Sequence, residues 1–448
     1  MSVKIFSETM RVPASPAQWK FWKVHELKPA TNADNMIVTI PLMNQINIST
    51  LGQAIRILTQ RHEVLRTAFE VNGGLLVQAI SPEVEVNVRQ VDVAGNPDKF
   101  QASVATAESL RRTMDDPFDF ATAPLFRATL ITFSESSTQC ALITTSHAIV
   151  DGWSINIIRR ELRQLLAAPS GGGHGKSSQW QPVKQFRHVM EERNHERSIR
   201  ISRQWDYWMR QLSGISPSLS IPLLRSREDI YRETLRDEPV KSIEGSQASL
   251  KVRSARVSRT TLHIAALASA LSKYSTNGEV VIGNIYSNRA APENRDVVGL
   301  LFNVLPLRIS VKGNPSAQDL IQQVNATALR SYVNGEVQME DVAKVLGFGQ
   351  AVFGGGPPLW EAAVNVTPAW SGHSLLEKRI QKFQHWLWSI RGVPLMERWD
   401  GRIMEVIDMI SPGETASVLR YNSEILNASR SRAIAHEICN FFAELPDF

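Results

Sequence analysis

The stretch SHAIVDGWS, residues 146–154, overlaps the end of an apolar, β-branched run, CALITTS, and leads directly into INIIRRELRQLL. The upstream run reads as a strand. Downstream, Ile155, Ile158, Leu162 and Leu165 or Leu166 recur at the spacing of an amphipathic helix. His147 therefore ends a strand and Asp151 begins a helix. A histidine at that place suits a general base, because an unperturbed imidazole titrates near ~6.5 and is largely neutral at neutral pH. Asp151 could cap the helix or hold a buried arginine, and Gly152 would give the backbone freedom to turn sharply between the two elements. The spacing by itself also fits a histidine with a purely structural duty.

Outward from this point the chain alternates strands and helices irregularly, with no repeat of fixed period, which predicts a mixed α/β fold. In TLGQAIRILTQRHEVLRTAF (50–69), Leu51, Ala54, Ile55 and Leu58 share a helical face, and Thr50 with Gln53 fits a capping box. FEVNGGLLVQAI (69–80) reads as a hairpin, with Asn72, Gly73 and Gly74 supplying the positive φ of a tight turn. APLFRATLITF and QCALITTS are strands without clean alternation, as expected when both faces are buried. APSGGGHGKSS (168–178) is the one low-complexity segment, a surface loop that would expose His174. The chain is divided near it, into residues 1–175, which carry the His147 stretch, and 176–448, with its own helix TTLHIAALASALSKYS and strand EVVIGNIYS.

Composition narrows the function. A chain of 448 residues with 43% hydrophobic content can bury substantial cores. No apolar run approaches the roughly 20 residues that cross a bilayer, and the start lacks a secretory leader, so the cytoplasm is the expected compartment. Two cysteines, Cys140 and Cys439, allow neither a disulfide framework nor a cysteine-based metal site. The net charge of +5 is mild for this length, and the densest basic stretch, RNHERSIRISRQWDYWMRQL, interleaves acids and aromatics at helical spacing. It reads as a solvated helix face and not as a nucleic-acid surface.

Six stretches occur in order: SPAQWKFW, LTQRHEVLRTAF, DDPFDFATAPLFRATL, SHAIVDGWS, WDYWMRQLSG and VIGNIYSNRAAPENRDVVGLLFNVLPLRI. Together they resemble the ordered motifs of nonribosomal peptide synthetase condensation domains, within the chloramphenicol-acetyltransferase-like superfamily. That resemblance implies two acyltransferase-like subdomains set in a V as a pseudo-dimer, with a tunnel between them and the active histidine at its middle. It further implies that a carrier-bound acyl or aminoacyl thioester is joined to an amine, free or on a second carrier, giving an amide. Matched position by position, His147 is the active histidine, Asp151 a structural aspartate that pairs with Arg289, and Gly152 the motif glycine. Trp153, Asn303 and Arg308 are candidates for the tunnel or the interface. No bound cofactor is implied; the substrates ride on phosphopantetheine arms of carrier proteins, without nucleic acid or membrane.

Ser146 departs from the pattern, standing where the family usually has a first histidine; its hydroxyl could replace one hydrogen bond but not the bulk of an imidazole. The later acidic motif is reduced to NGEVQMEDVAKVLG. These departures keep two alternatives open: an ester-forming or cyclising domain, and a degenerate domain that only docks carriers or tailoring proteins. SGHSLL (371–376) resembles a phosphopantetheine attachment loop with Ser374 as its acceptor, but its strand-like surroundings do not suit a carrier. The Asp-Phe-Gly-Trp-Gly motif of coenzyme A-dependent relatives does not occur. Nor is an adenylation, thiolation or thioesterase domain expected within these residues, which suggests a stand-alone enzyme or an excised domain.

Overall fold

A computed structural model describes residues 8–32, 34–167, 180–195, 200–215, 219–224, 235–240, 257–348, 358–367, 375–391, 403–411 and 414–445. The segment around His174 and the candidate acceptor Ser374 lie outside the described residues. The chain is mixed α/β, as its alternating periodicities predict, and forms two compact units. The first comprises Met1–His195, Arg289–Leu301 and His373–Pro394; the second comprises Glu196–Asn288, Phe302–Gly372 and Leu395–Phe448.

The division is therefore discontinuous and not the single cut at 175/176 that composition suggested. The reason lies in burial. Phe186 packs so tightly on Gly299 that a Cβ there would stand 2.3 Å from its ring. Ile380, Phe383 and Leu387 of the helix Leu375–Ile390 fill the core of the first unit and are fully buried. Such contacts are made between residues far apart in sequence, so a loop-rich segment was a poor guide to where the boundary falls.

At the centre of the first unit is a five-stranded sheet in the order Asn35–Leu42, Gln139–Ser146, Phe126–Phe133, Val88–Asn96, Lys99–Gln101. All pairings are antiparallel except that of Val88–Asn96 with Phe126–Phe133. Every residue of Gln139–Ser146 is buried, because both faces are covered. Cys140 and Leu142 face a cluster with Leu110, Met114 and Phe383, whereas Ile143 and Thr145 face Ile55, Leu58 and Ile158. That alternation along one strand sets the helices Val104–Asp115 and Leu375–Ile390 on one face and Ile48–Arg61 and Gly152–Leu166 on the other.

Two local expectations need correction. The helix containing Leu51 begins at Ile48, and its cap is Asn47, whose side chain accepts the Thr50 N–H at 2.8 Å; Thr50 and Gln53 lie inside the helix. In the hairpin of Thr67–Asn72 with Leu75–Ile80, Gly73 and Gly74 carry the positive φ, 58° and 80°, and Asn72 ends a strand. Both errors have one cause: nearby residues are each locally suited to the cap or the turn, and only the register of the flanking elements chooses between them.

The second unit holds a six-stranded sheet in the order Asn303–Ser310, Glu279–Tyr286, Ala362–Thr367, Met404–Ser411, Glu414–Asn422, Leu235–Val240. The helix Arg259–Leu271 buries a row of alanines in the core cluster it shares with the helices Ala317–Val333 and Ala428–Ala443. The basic stretch forms part of the helices Phe186–His195 and Arg200–Gln211. In the latter, Gln204 and Trp208 are buried, and the Trp208 indole donates to the Asn334 carbonyl at 2.7 Å. Among the described residues no helix is long and apolar enough to cross a membrane.

The corrected cap is open to test by thermal or urea denaturation. Asn47→Ala should cost about 1 kcal/mol of stability. Gln53→Ala, at an exposed position, should stay within about 0.5 kcal/mol of the parent.

Candidate active site

The strand Gln139–Ser146 stops at Ser146 and the helix Gly152–Leu166 starts after Asp151, so residues 147–150 must bridge two fixed points. Ala148, Ile149 and Val150 are completely buried, whereas His147 is half-buried. The His147 N–H donates to the Asp34 carbonyl at 2.8 Å, which continues the pairing of Ser146 with Asn35 one residue past the sheet. The imidazole Nδ1 lies 2.7 Å from the Val150 carbonyl oxygen. A carbonyl can only accept, so Nδ1 carries the proton and, in the neutral ring, Nε2 carries the lone pair. One face of the ring stacks on Phe21, with centroids 5.2 Å apart and planes at 26°. Orientation and tautomer are thus both set by the protein.

Asp151 does two jobs that the sequence offered as alternatives. It caps the helix, with Oδ1 accepting the Ser154 N–H at 2.8 Å, and it binds Arg289 through both carboxylate oxygens, at 2.8 and 3.0 Å. The Leu301 N–H adds a further bond to Oδ2 at 3.0 Å. Side-chain exposure is 1% for Arg289 and 3% for Asp151. Burial pushes the Asp151 carboxyl up, but the Arg289 guanidinium together with the Ser154 N–H and hydroxyl outweighs it and holds the group below the usual carboxylate range. Arg289 also donates to the Gly299 carbonyl at 3.1 Å. One carboxylate therefore clamps Arg289–Leu301 against the start of the helix that follows His147.

Gly152 has another basis than the one read from sequence. Its φ is not in the left-handed region, and a Cβ there would meet no atom within 4 Å, so neither backbone freedom nor crowding by the described residues demands glycine. Trp153 donates its indole N–H to the Arg295 carbonyl at 2.8 Å. Asn303 and Arg308 belong to the second unit and are engaged within it. Asn303 donates to the carbonyls of Gly335 and Val337 at 3.0 and 2.7 Å, and Arg308 holds Glu279 at 2.8 Å and the Ser213 carbonyl at 2.8 Å. Within NGEVQMEDVAKVLG, Glu336 pairs with Arg200 at 2.6 Å.

Sequence reasoning missed three supports. Glu161, on the helix that Asp151 caps, bonds His62 at 2.7 Å and Arg61 at 3.1 Å, tying that helix to Ile48–Arg61. Phe21, within SPAQWKFW, supplies the stacking surface for His147. Asp34 accepts the Ser146 hydroxyl. The i, i+1 pair Arg61–His62 facing Glu161 had a weak signal, a charged residue on the apolar side of a helix; Asp34 had none. Among the described residues, no group of three or more His, Cys, Asp or Glu is arranged to hold a metal ion.

The Condensation domain family profile matches residues 8–352. The chain belongs to the condensation-domain family. Phosphinothricin tripeptide synthetase PhsC of Streptomyces viridochromogenes is 28% identical over 345 residues, 73% of this chain and 30% of that protein. A linear gramicidin synthase polypeptide of Brevibacillus parabrevis is 26% identical over 340 residues, 75% of this chain and 4% of that protein. The chain thus spans only a small part of these nonribosomal peptide synthetases. Its fold is that of solved condensation domains. The one from the Monacolin K polyketide synthase MokA superposes with a TM-score of 0.75 at 15% identity, covering 98% of this chain and 99% of that one. The first condensation domain of the calcium-dependent antibiotic synthetase gives 0.73 at 17%, with 97% of both chains covered. The X-domain in complex with OxyB from teicoplanin biosynthesis gives 0.73 at 17%, with 99% and 97% covered.

Removing one partner of the Asp151–Arg289 pair leaves an uncompensated buried charge, so Arg289→Ala should lower stability by about 3–5 kcal/mol in urea denaturation. The folded Asp151 carboxyl sits below its unfolded value near ~3.9, so its contribution is complete above that pH and is lost as pH falls through the folded value. The parent should therefore weaken in that acid range, and Asp151→Asn should start less stable and depend less on pH there. Gly152→Ala should melt within a few degrees of the parent, since no packing is disturbed; a large loss would reveal a steric demand that the described residues do not impose.

Proposed function

We propose that the protein joins a carrier-bound acyl or aminoacyl thioester to an amine acceptor, forming an amide. The observation that carries this reading is the His147 ring, fixed by the Val150 carbonyl and Phe21 so that Nε2 carries the lone pair. The amine nitrogen attacks the thioester carbonyl and Nε2 holds or takes the proton released from nitrogen. The carbon–sulfur bond then breaks, and the departing thiolate recovers the proton from the imidazolium. No acyl-enzyme is formed; the Ser146 hydroxyl is engaged with Asp34 and the Ala148 N–H and is not paired to His147 as a nucleophile. Asp151, neutralised by Arg289, has a structural part only. Most of the acceleration comes from holding both reactants together, and proton transfer by His147 adds about 10²- to 10⁴-fold.

Donor and acceptor arrive on phosphopantetheine arms of carrier proteins, or the acceptor arrives free, and the protein brings no cofactor of its own to this chemistry. An alcohol could be deprotonated by the same imidazole, giving an ester, and Ser146 in place of the usual first histidine is the feature that keeps this second reading in view. Amine and alcohol acceptors offered in turn, with loaded carrier proteins as donors, separate the two by product mass. His147→Ala should fold and bind carriers like the parent while condensation falls by about 10²-fold or more. Unchanged turnover in that variant would remove the proposed role, and a parent that binds carriers without forming product would favour a domain that only docks them.

A further inference from the structure

Behind His147 lies a second carboxylate that the reaction as described does not use. Asp34 is half-buried and immediately precedes the strand Asn35–Leu42, opposite the residue that follows Gln139–Ser146. Its backbone carbonyl accepts the His147 N–H, its side chain accepts the Ser146 hydroxyl, and the same hydroxyl oxygen accepts the Ala148 N–H at 3.1 Å. The Ile149 N–H closes the turn on the Ser146 carbonyl at 3.3 Å. A chain of bonds thus runs from the backbone on the far side of His147, through Ser146, to the Asp34 carboxylate.

Among the described residues, two imidazoles act electrostatically on this carboxylate: His25, on the helix Pro16–Leu27, whose ring stacks on Phe120 at 4.4 Å, and His147, whose N–H is held by the Asp34 carbonyl. Burial pushes the Asp34 carboxyl above the usual range, against the Ser146 hydroxyl, the residue's own backbone and the two imidazoles. A desolvated carboxylate next to an imidazole that gains charge during a reaction stabilises that charge more than one in water would.

We infer that Asp34 is a positioning residue for His147: through the Ser146 hydroxyl it holds the turn that orients the imidazole, and its carboxylate supports the imidazolium formed when the ring takes a proton. Ser146 is then one half of a serine–aspartate unit that supplies a charge where an imidazole would supply bulk.

This rests on the proposed role of His147, and the test is chosen so that the two can fail separately. The ring proton titrations of the full chain labelled with ¹³C-histidine are followed by NMR, the His147 signal being assigned by its loss in His147→Ala. Asp34→Asn keeps an acceptor for Ser146 and removes the charge; the His147 titration should move to lower pH, and the acid limb of the condensation rate should move with it. Asp34→Glu should restore part of the shift. Ser146→Ala leaves the charge and releases the turn, so kcat should fall about 10- to 100-fold with KM little changed. An unchanged His147 titration in folded Asp34→Asn overturns the inference, as does a parental kcat in Ser146→Ala. Should Asp34→Asn fail to fold, Asp34→Ser is read in the same way. A parent protein without condensation activity counts against the proposed function alone, because the titration needs no turnover.

Discussion

An aspartate with almost no exposure to water cannot stay ionised unless something compensates it, and the first unit is arranged around that necessity. Asp151 is compensated by a bidentate arginine, a helix N-terminus and a backbone N–H from Leu301. Each bond recruits a different piece of chain. Arg289 and Leu301 bound a segment that would otherwise belong with the second unit's sequence, and their attachment to Asp151 accounts for its place in the first. The geometry of residues 147–150 follows: with the strand end and the helix start both fixed, only His147 among them keeps partial access to solvent. The buried pair is a weak source of stability in itself, since its desolvation cost offsets much of its attraction. Its value lies in fixing a register.

What could be read from the sequence was what is locally encoded. The strand into His147 and the helix out of Asp151 follow from periodicities of 2 and 3.6 within a dozen residues on either side, and both stand in the structure. The mixed α/β class follows in the same way. The contact of Asp151 with Arg289, across 138 residues, had no local signal and was reached through resemblance to a family. Where the chain offers two chemically equivalent neighbours, local reading chose the wrong one, as at Asn47 and Thr50. Asp34 was invisible for a further reason: it lies one residue outside a strand, and its relation to Ser146 exists only once Asn35 is paired with Ser146. A shift of one residue would turn that carboxylate to the opposite side.

The glycines show how one residue type can answer different constraints. Gly299 has Phe186 against it and admits no side chain, so it belongs to the packing that holds the Arg289 segment. Gly152 stands next to the site with open space beside its Cα hydrogens. Among the described residues nothing requires that space to be empty for the fold.

Two carboxylates flank the backbone that carries His147, and they differ in what their charge can do. Asp151 is bound to a guanidinium through both oxygens, so the pair is close to neutral overall and its field falls off quickly. It can fix geometry but contributes little to the energy of a charge on the imidazole. Asp34 is bonded to a hydroxyl, which brings no compensating charge, and burial raises its carboxyl above the usual range. A histidine that only marks the end of a strand would gain nothing from a desolvated carboxylate behind it, and burying one has a cost. The arrangement makes physical sense if the ring becomes positively charged in use.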